Sequence, residues 1–415
     1  MPTARIAFTI FALMFASTCQ AENWTQYRGN QGDGKTSESM SNSNWQSKGP
    51  QQVWKVPTPL GFSSFSIADG RAFTLIAKDN HEHCIALDAD TGKEAWSVKL
   101  SSNDYKSGGG NAGAKNNKGG DGPRSTPATD GKHVWVYDSQ MMVTCLDAAS
   151  GKIKWQRDII SQHAGREIKW KNATSPVIDG EKLYIVGGGA GETYLALNKT
   201  TGDVIWKSGD DTMTHATPQL ATIKGKKQLV CFMKSGLVSL DVESGKQIWA
   251  TFFKFATSSA ASPVIENDLV YCSAGYGVGA GLFKVNGTSE PSEEWFKPNK
   301  LMNHWSTPVV HNGHLYGIFE FKKYGEAPLQ CVELATGDIK WKKRGFGPGN
   351  CILVGEKLVV LSDTGEVVLA DAKPTGYNET GRIQAVTGKC WSTPAYSDGK
   401  IYVRSTKEAA CFSVN

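Results

Sequence analysis

Through residues 84–96, CIALDADTGKEAW, apolar side chains alternate with small ones up to an Asp, a Thr-Gly pair follows, and a Trp stands four positions beyond the Gly. Alternation with period two marks a strand, and the segment from Asp to Gly reads as the turn of a β-hairpin whose second strand carries the Trp. The pattern returns as Asp88/Gly92/Trp96, Asp147/Gly151/Trp155, Asn198/Gly202/Trp206, Asp241/Gly245/Trp249 and, with Glu in first place, Glu333/Gly337/Trp341. Two degenerate copies fill the gaps, one ending at Trp295 and one with Ile383 where Trp is expected.

A second pattern runs between the hairpins. It has a Ser/Thr-Pro pair, a short apolar strand, an Asp-Gly or Asn-Gly turn and an aromatic-rich strand, as in STPATDGKHVWVY (125–137), TSPVIDGEKLYIV (174–186), STPVVHNGHLYGI (306–318) and STPAYSDGKIYVR (392–404), with SPVIENDLVYCSA (262–274) a close variant. Each unit therefore supplies four strands. The landmark prolines Pro127, Pro176, Pro218, Pro263, Pro308 and Pro394 lie 49, 42, 45, 45 and 86 residues apart, the last interval holding two units. A four-stranded repeat of about 40–45 residues is the signature of a propeller blade.

With residues 65–77 as the first copy and 349–361 as the seventh, the count reaches eight, and the predicted fold is all-β, an eight-bladed β-propeller. The eighth unit starts at Ser392 and has three strands before Asn415; residues 51–57, QQVWKVP, carry Trp54 and supply the fourth, closing the ring. A large flat side chain at one place in every unit fills the wedge where twisted sheets diverge. The Trp set is therefore read as packing, each member worth about 3–5 kcal/mol against Ala.

Composition adds bounds. Eight blades use up the 415 residues, so residues 51–415 form one domain with ample core. Residues 1–21 hold one Arg, an apolar run over 6–16 and then small residues, which predicts a secretory signal cut after Ala21, too short to be a membrane span. Cleavage before Cys19, as in a lipoprotein, is the alternative. Either route places the protein outside the cytoplasm, secreted or periplasmic. Polar residues 22–50 read as a lead-in wrapping the ring, anchored by Trp24 and Tyr27. The formal charge of +5 is spread along the chain without a basic block, which argues against nucleic acid as partner. A monomer is expected.

Eight cysteines follow Ala21, with no CxxC, no CxxCH and no adjacent pair. Cys145 and Cys331 occupy a place filled elsewhere by Ala86, Ala196 and Ser239, so they behave as small hydrophobes, and buried free thiols are expected. The Gly/Asn-rich insert over 101–124 is either disordered or functional. Neither 108–110 nor 187–189 is a phosphate loop, because no helix and no Lys-Ser/Thr follows. In His81-Glu82-His83 the two His share a strand face, as a surface edge or a metal site would.

Through the Asp/Gly/Trp hairpins and the Thr-Pro strands, about residues 50–415, the chain resembles the PQQ-like eight-bladed propellers, the superfamily of quinoprotein alcohol dehydrogenases and BamB-type outer-membrane assembly factors. NWTQYRGNQGDGK (23–35) and GDGPRSTPATDG (120–131) resemble a secreted bacterial branch of it. The quinoprotein side of the resemblance implies PQQ on the propeller axis, over calcium bound by Glu, Asn and Asp. The other side implies a scaffold that holds an envelope protein.

In this fold the residues just before each Ser/Thr-Pro strand project at one mouth of the channel: Arg124, Asn172, His215, Ser259, His304, Asn350 and Trp391, with Lys171 and Lys389 nearby. Bases and amides converging there suit an anion such as a carboxylate or quinone acid, the alternative being the polar lining of a wet channel. No Ser/His/Asp set and no carboxylate pair stands out. The expected function is non-catalytic binding of an envelope protein or small anionic ligand, the alternative a PQQ-dependent oxidoreductase with Arg124, Asn172 and His304 among its ligands.

Overall fold

The computed structural model describes residues 22–105, 122–254, 259–320 and 327–415. The leader expected over 1–21, with the Cys19 alternative, and most of the glycine-rich insert lie outside these residues. Eight sheets, each of four antiparallel strands, stand in a ring, with the innermost strands of successive blades in contact. From innermost to outermost strand, blade 1 runs from Ser66–Ala68 to Glu94–Ser102, blade 2 from Ala128–Thr129 to Ile153–Asp158, and blade 3 from Val177–Asp179 to Val204–Ser208. Blade 4 runs from Gln219–Ile223 to Gln247–Phe252, blade 5 from Val264–Glu266 to Ser292–Pro298, blade 6 from Val309–His311 to Ile339–Lys343, and blade 7 from Asn350–Val354 to Glu379–Gln384. Blade 8 takes three strands from the C-terminal end and its outermost, Gln51–Pro57, from the N-terminal side, with Trp54 opposite Cys411.

The repeated residues meet one another in the wedges. Each small residue lies between a Trp on the outermost strand and a large residue on the second: Ala86 between Trp96 and Phe73, Ala196 between Trp206 and Tyr184, Cys331 between Trp341 and Tyr316, Cys411 between Trp54 and Tyr402. The flanking rings then pack at 5.8–6.1 Å. All eight described cysteines are buried and free.

Each Trp also reaches the next blade. Trp54 Nε1 donates to Ala89 O (2.9 Å), Trp96 to Ala148 O (3.0 Å), Trp206 to Val242 O (3.0 Å) and Trp341 to Lys373 O (2.7 Å). The indole covers the neighbour's hairpin Gly. A Cβ on Gly92 would stand 2.7 Å from the Trp54 ring and one on Gly245 2.4 Å from Trp206, and both glycines have φ of +69°. The motif's Gly is thus required twice over, for its turn and for the ring above it. Two places depart from this: Trp249, before the degenerate copy that ends at Trp295, turns back to Gln228 Oε1 in its own blade (2.9 Å), and Ile383, standing where Trp is expected, rests on Gly49.

The lead-in crosses the axis. Trp24 exchanges backbone hydrogen bonds with Ile67, Thr25 O accepts from Thr129 N, Gln26 Oε1 from Ile178 N, and Gly34 O from Leu353 N. Buried Arg28 donates to the carbonyls of Thr307 (2.7 Å), Pro308 (2.9 Å) and Asp33 (3.0 Å). Gln219 Nε2 donates to Gln31 O, so residues 24–34 touch the innermost strands of blades 1, 2, 3, 4, 6 and 7 and block the channel. Lys35–Thr36 then adds a parallel strand to blade 7, and Trp45 packs on Gly381.

Candidate functional site

The residues opening the innermost strands form a belt. Thr393 N donates to Ser64 Oγ (2.8 Å), Ser64 N to Thr126 Oγ1 (3.0 Å), Thr126 N to Ser175 Oγ (2.9 Å), Ser175 N to Thr217 Oγ1 (3.0 Å), and Ser262 N to Thr307 Oγ1 (2.9 Å). This explains the Ser/Thr-Pro landmark. The hydroxyl satisfies an amide of the preceding blade, and the Pro after it leaves no orphan N–H at the innermost edge.

Above the belt lies a cavity of about 140 Å³ whose floor includes Tyr27 of the lead-in. One wall is an aromatic arc: Phe62 stacks on Trp391 (4.7 Å), Trp391 on Trp305 (4.1 Å), His304 lies 4.9 Å from Trp305, and Tyr276 stands edge-on to His304 (4.9 Å). Two indoles are fixed by their N–H groups, Trp305 on Pro348 O (2.9 Å) and Trp391 on Asp363 Oδ1 (2.7 Å). Their polar edges are satisfied in the walls, so ring carbon is what they offer a ligand. Opposite stand Trp170 and His215, 6.3 Å apart.

Arg124 contributes the charge. Its Nη1 donates to Gly122 O (3.0 Å), and its guanidinium lies over the rings of Tyr105 (5.4 Å) and Phe62 (5.8 Å). Burial, helped by the nearby Arg124 charge, pushes the His215 imidazole down to about 4, so it is neutral at pH 7, with Nε2 facing Lys169 O (2.9 Å). Among the described lining residues, Arg124 is the one permanently charged side chain and none is a carboxylate.

Of the residues expected at the mouth, Arg124, His215, His304 and Trp391 line this cavity and Asn172 and Asn350 do not. Asn172 is buried, its Nδ2 on the carbonyls of Tyr137, Asp138 and Thr174 and its Oδ1 on Thr174, which ties blade 2 to blade 3. Asn350 Nδ2 donates to Trp391 O (2.7 Å). Ser259 bonds Ser273 O, Lys171 pairs with Glu167, and Lys389 pairs with Asp363. Sequence reasoning missed Tyr27, Phe62, Trp170, Tyr276 and Trp305. For Trp170 and Trp305 a signal existed, since both stand off the hairpin period.

PQQ over calcium asks for carboxylate and amide donors on the axis. The described lining offers no carboxylate, both polar atoms of Asn172 are committed, Asp363 is taken by Trp391 and Lys389, and Asn350 gives its Nδ2 to Trp391 O, leaving its buried Oδ1, one amide oxygen, as the donor at hand for a calcium ion. Among the described residues no group of three or more His, Cys, Asp or Glu could hold a metal ion, His81 and His83 included. These residues do not fit a calcium-bound quinone.

Ring, belt and blocked axis define an eight-bladed propeller with a blind, aromatic-walled cavity at one mouth. The chain belongs to the PQQ_2 family, described as outer membrane protein assembly factor BamB, whose profile matches residues 80–343. Outer membrane protein assembly factor BamB of Yersinia pestis is 23% identical over 334 residues, 77% of this chain and 67% of that protein. Among solved structures, BamB from Moraxella catarrhalis superposes with a TM-score of 0.61 at 14% identity, covering 88% of this chain and 99% of that one. A quinohemoprotein alcohol dehydrogenase from Pseudomonas putida gives 0.63 at 12% identity, covering 94% and 80%. At such identities the structural likeness is one of fold.

Proposed function

We propose that this chain is a non-catalytic binding propeller of the bacterial cell envelope, whose axial cavity takes a flat, singly anionic group of an envelope protein or a small ligand of the same chemistry. The observation that carries the reading is the cavity's composition: fixed indole faces, one guanidinium, a neutral His215 and no carboxylate among the described lining residues. Stacked rings and a guanidinium bind a planar carboxylate. General acid–base work needs a titrating pair near neutrality, and His215 is held well below it. The envelope assignment rests on the family and on what its relatives are named for.

Two measurements test it. Titration of the protein with PQQ, with and without calcium, is expected to give no saturable gain in thermal stability. A saturable gain that requires calcium replaces this reading with the oxidoreductase. A photoreactive residue at Tyr276, on the rim and 40% exposed, is expected to capture an envelope protein, with capture lost in Trp305→Ala. Absence of any captured protein overturns the protein-binding form.

A further inference from the structure

Glu82, on the third strand of blade 1 (His81–Asp88), and Asp138, just after the second strand of blade 2 (His133–Tyr137), are both buried and meet in the wedge between the blades. The fold's repeats do not use either. Glu82 Oε1 accepts from Tyr105 Oη (2.6 Å) and Oε2 from Ser139 N (3.2 Å). Asp138 Oδ1 accepts from the amides of Gln140 and Met142 (3.0 Å each), while Oδ2 is buried with no hydrogen-bond partner among the described residues.

Ser101 also steadies the Asp138 charge, but among the described residues neither carboxyl has an ion-pair partner, and between two adjoining buried carboxyls the economical neutraliser is a single proton. We propose that Glu82 and Asp138 share one proton at neutral pH, and that this proton couples the blade 1–blade 2 wedge to the axial cavity through Tyr105 and Arg124. Two like charges in one dry place do not both ionise. Burial, then the charge of Asp138, pushes Glu82 up to about 7, and burial raises Asp138 as well.

The groups facing the pair are few. Blade 1 brings Glu82, whose strand neighbours His81 and His83 point to the opposite face. The segment after its outermost strand brings the Tyr105 phenol, blade 2 brings Asp138, and the channel entry brings Arg124, behind the Tyr105 ring at 5.4 Å. Losing the proton leaves a second negative charge behind the Tyr105 phenol, and the Arg124 guanidinium over that ring is the proposed route by which the change reaches the mouth. Because Glu82 sits above its ordinary 4.5, the stabilisation is complete below that value and is lost as pH rises through about 7. The inference is independent of the envelope reading.

Infrared difference spectra of the protein between about pH 6 and about pH 8.5 read the proton directly. We expect the carbonyl stretch of an un-ionised carboxylic acid to disappear on raising the pH, to be missing at both values in Glu82→Gln, and to disappear at lower pH in Asp138→Asn, where burial still acts on Glu82 but the neighbouring charge is gone. Two variants are used so that one misfolding does not end the test. Arg124→Ala is expected to move the disappearance to higher pH, by removing a cation that favours ionisation. No such band at the lower pH overturns the shared proton, as does a band that survives in both variants. A calcium-dependent gain in stability lost in Asp138→Asn assigns the neutralising charge to a cation and overturns it too. An unmoved midpoint in Arg124→Ala overturns the coupling.

Discussion

The wedges and the channel mouth use the same eight blades in opposite ways. In the wedges one set of residues recurs, Trp over Gly with a small residue beneath, and its members face each other. At the mouth the equivalent position carries Arg124, His215, His304 or Trp391 according to the blade, and these converge on one cavity. Repetition marks what each blade owes its neighbour, and divergence at an equivalent position marks what the ring owes a ligand.

The comparison breaks hardest at ring closure. Trp54→Ala opens the wedge between blades 8 and 1 where the two chain ends meet, and is expected to cost about 3–5 kcal/mol in chemical denaturation. Gly92→Ala, beneath the same ring, is expected to cost about 2–3 kcal/mol through left-handed strain and overlap. Asn172→Ala separates the two classes of mouth residue: a loss of about 1–3 kcal/mol in stability from stranded carbonyls, without a change in how the cavity binds.

His215 gives a pH limb. Its folded value of about 4 lies below the ordinary 6.5, so the unfolded chain takes a proton first, and the stability that is full above 6.5 is lost as pH falls towards 4. His215→Gln is expected to flatten that limb in thermal melts, which in the native chain spans up to about 3 kcal/mol. Smallest in stability is Arg124→Ala, expected within about 1 kcal/mol, and it weakens binding of a planar carboxylate about tenfold or more by calorimetry.

The same contrast explains what could be read from the sequence. Blade number, the closing strand and the role of Trp were legible because period two and the turn residues act locally and recur eight times. The mouth was half legible. Arg124 and Trp391 follow from their place before Ser-Thr-Pro, but the same place turns Asn172 and Asn350 inward, because carbonyls of the adjoining segments reach them first. Trp170 enters the cavity where the backbone takes φ of 68° and 62° at Trp170 and Lys171, a bend that no glycine announces. Tyr27 arrives by a path across the axis that the polar lead-in does not encode in any periodicity.

Closure of blade 8 also sets an order of events. Trp54 must wait for Cys411 and Arg28 for Thr307 and Pro308, so a chain emerging N-terminus first can seat Trp24 on Ile67 early but holds its closing strand unpaired until blade 8 has been made. Contacts of that sequence separation fold slowly. The ring is therefore finished only once Glu408–Ser413 has emerged, and a chain that has lost this strand would leave blade 8 and its junction with blade 1 open at once.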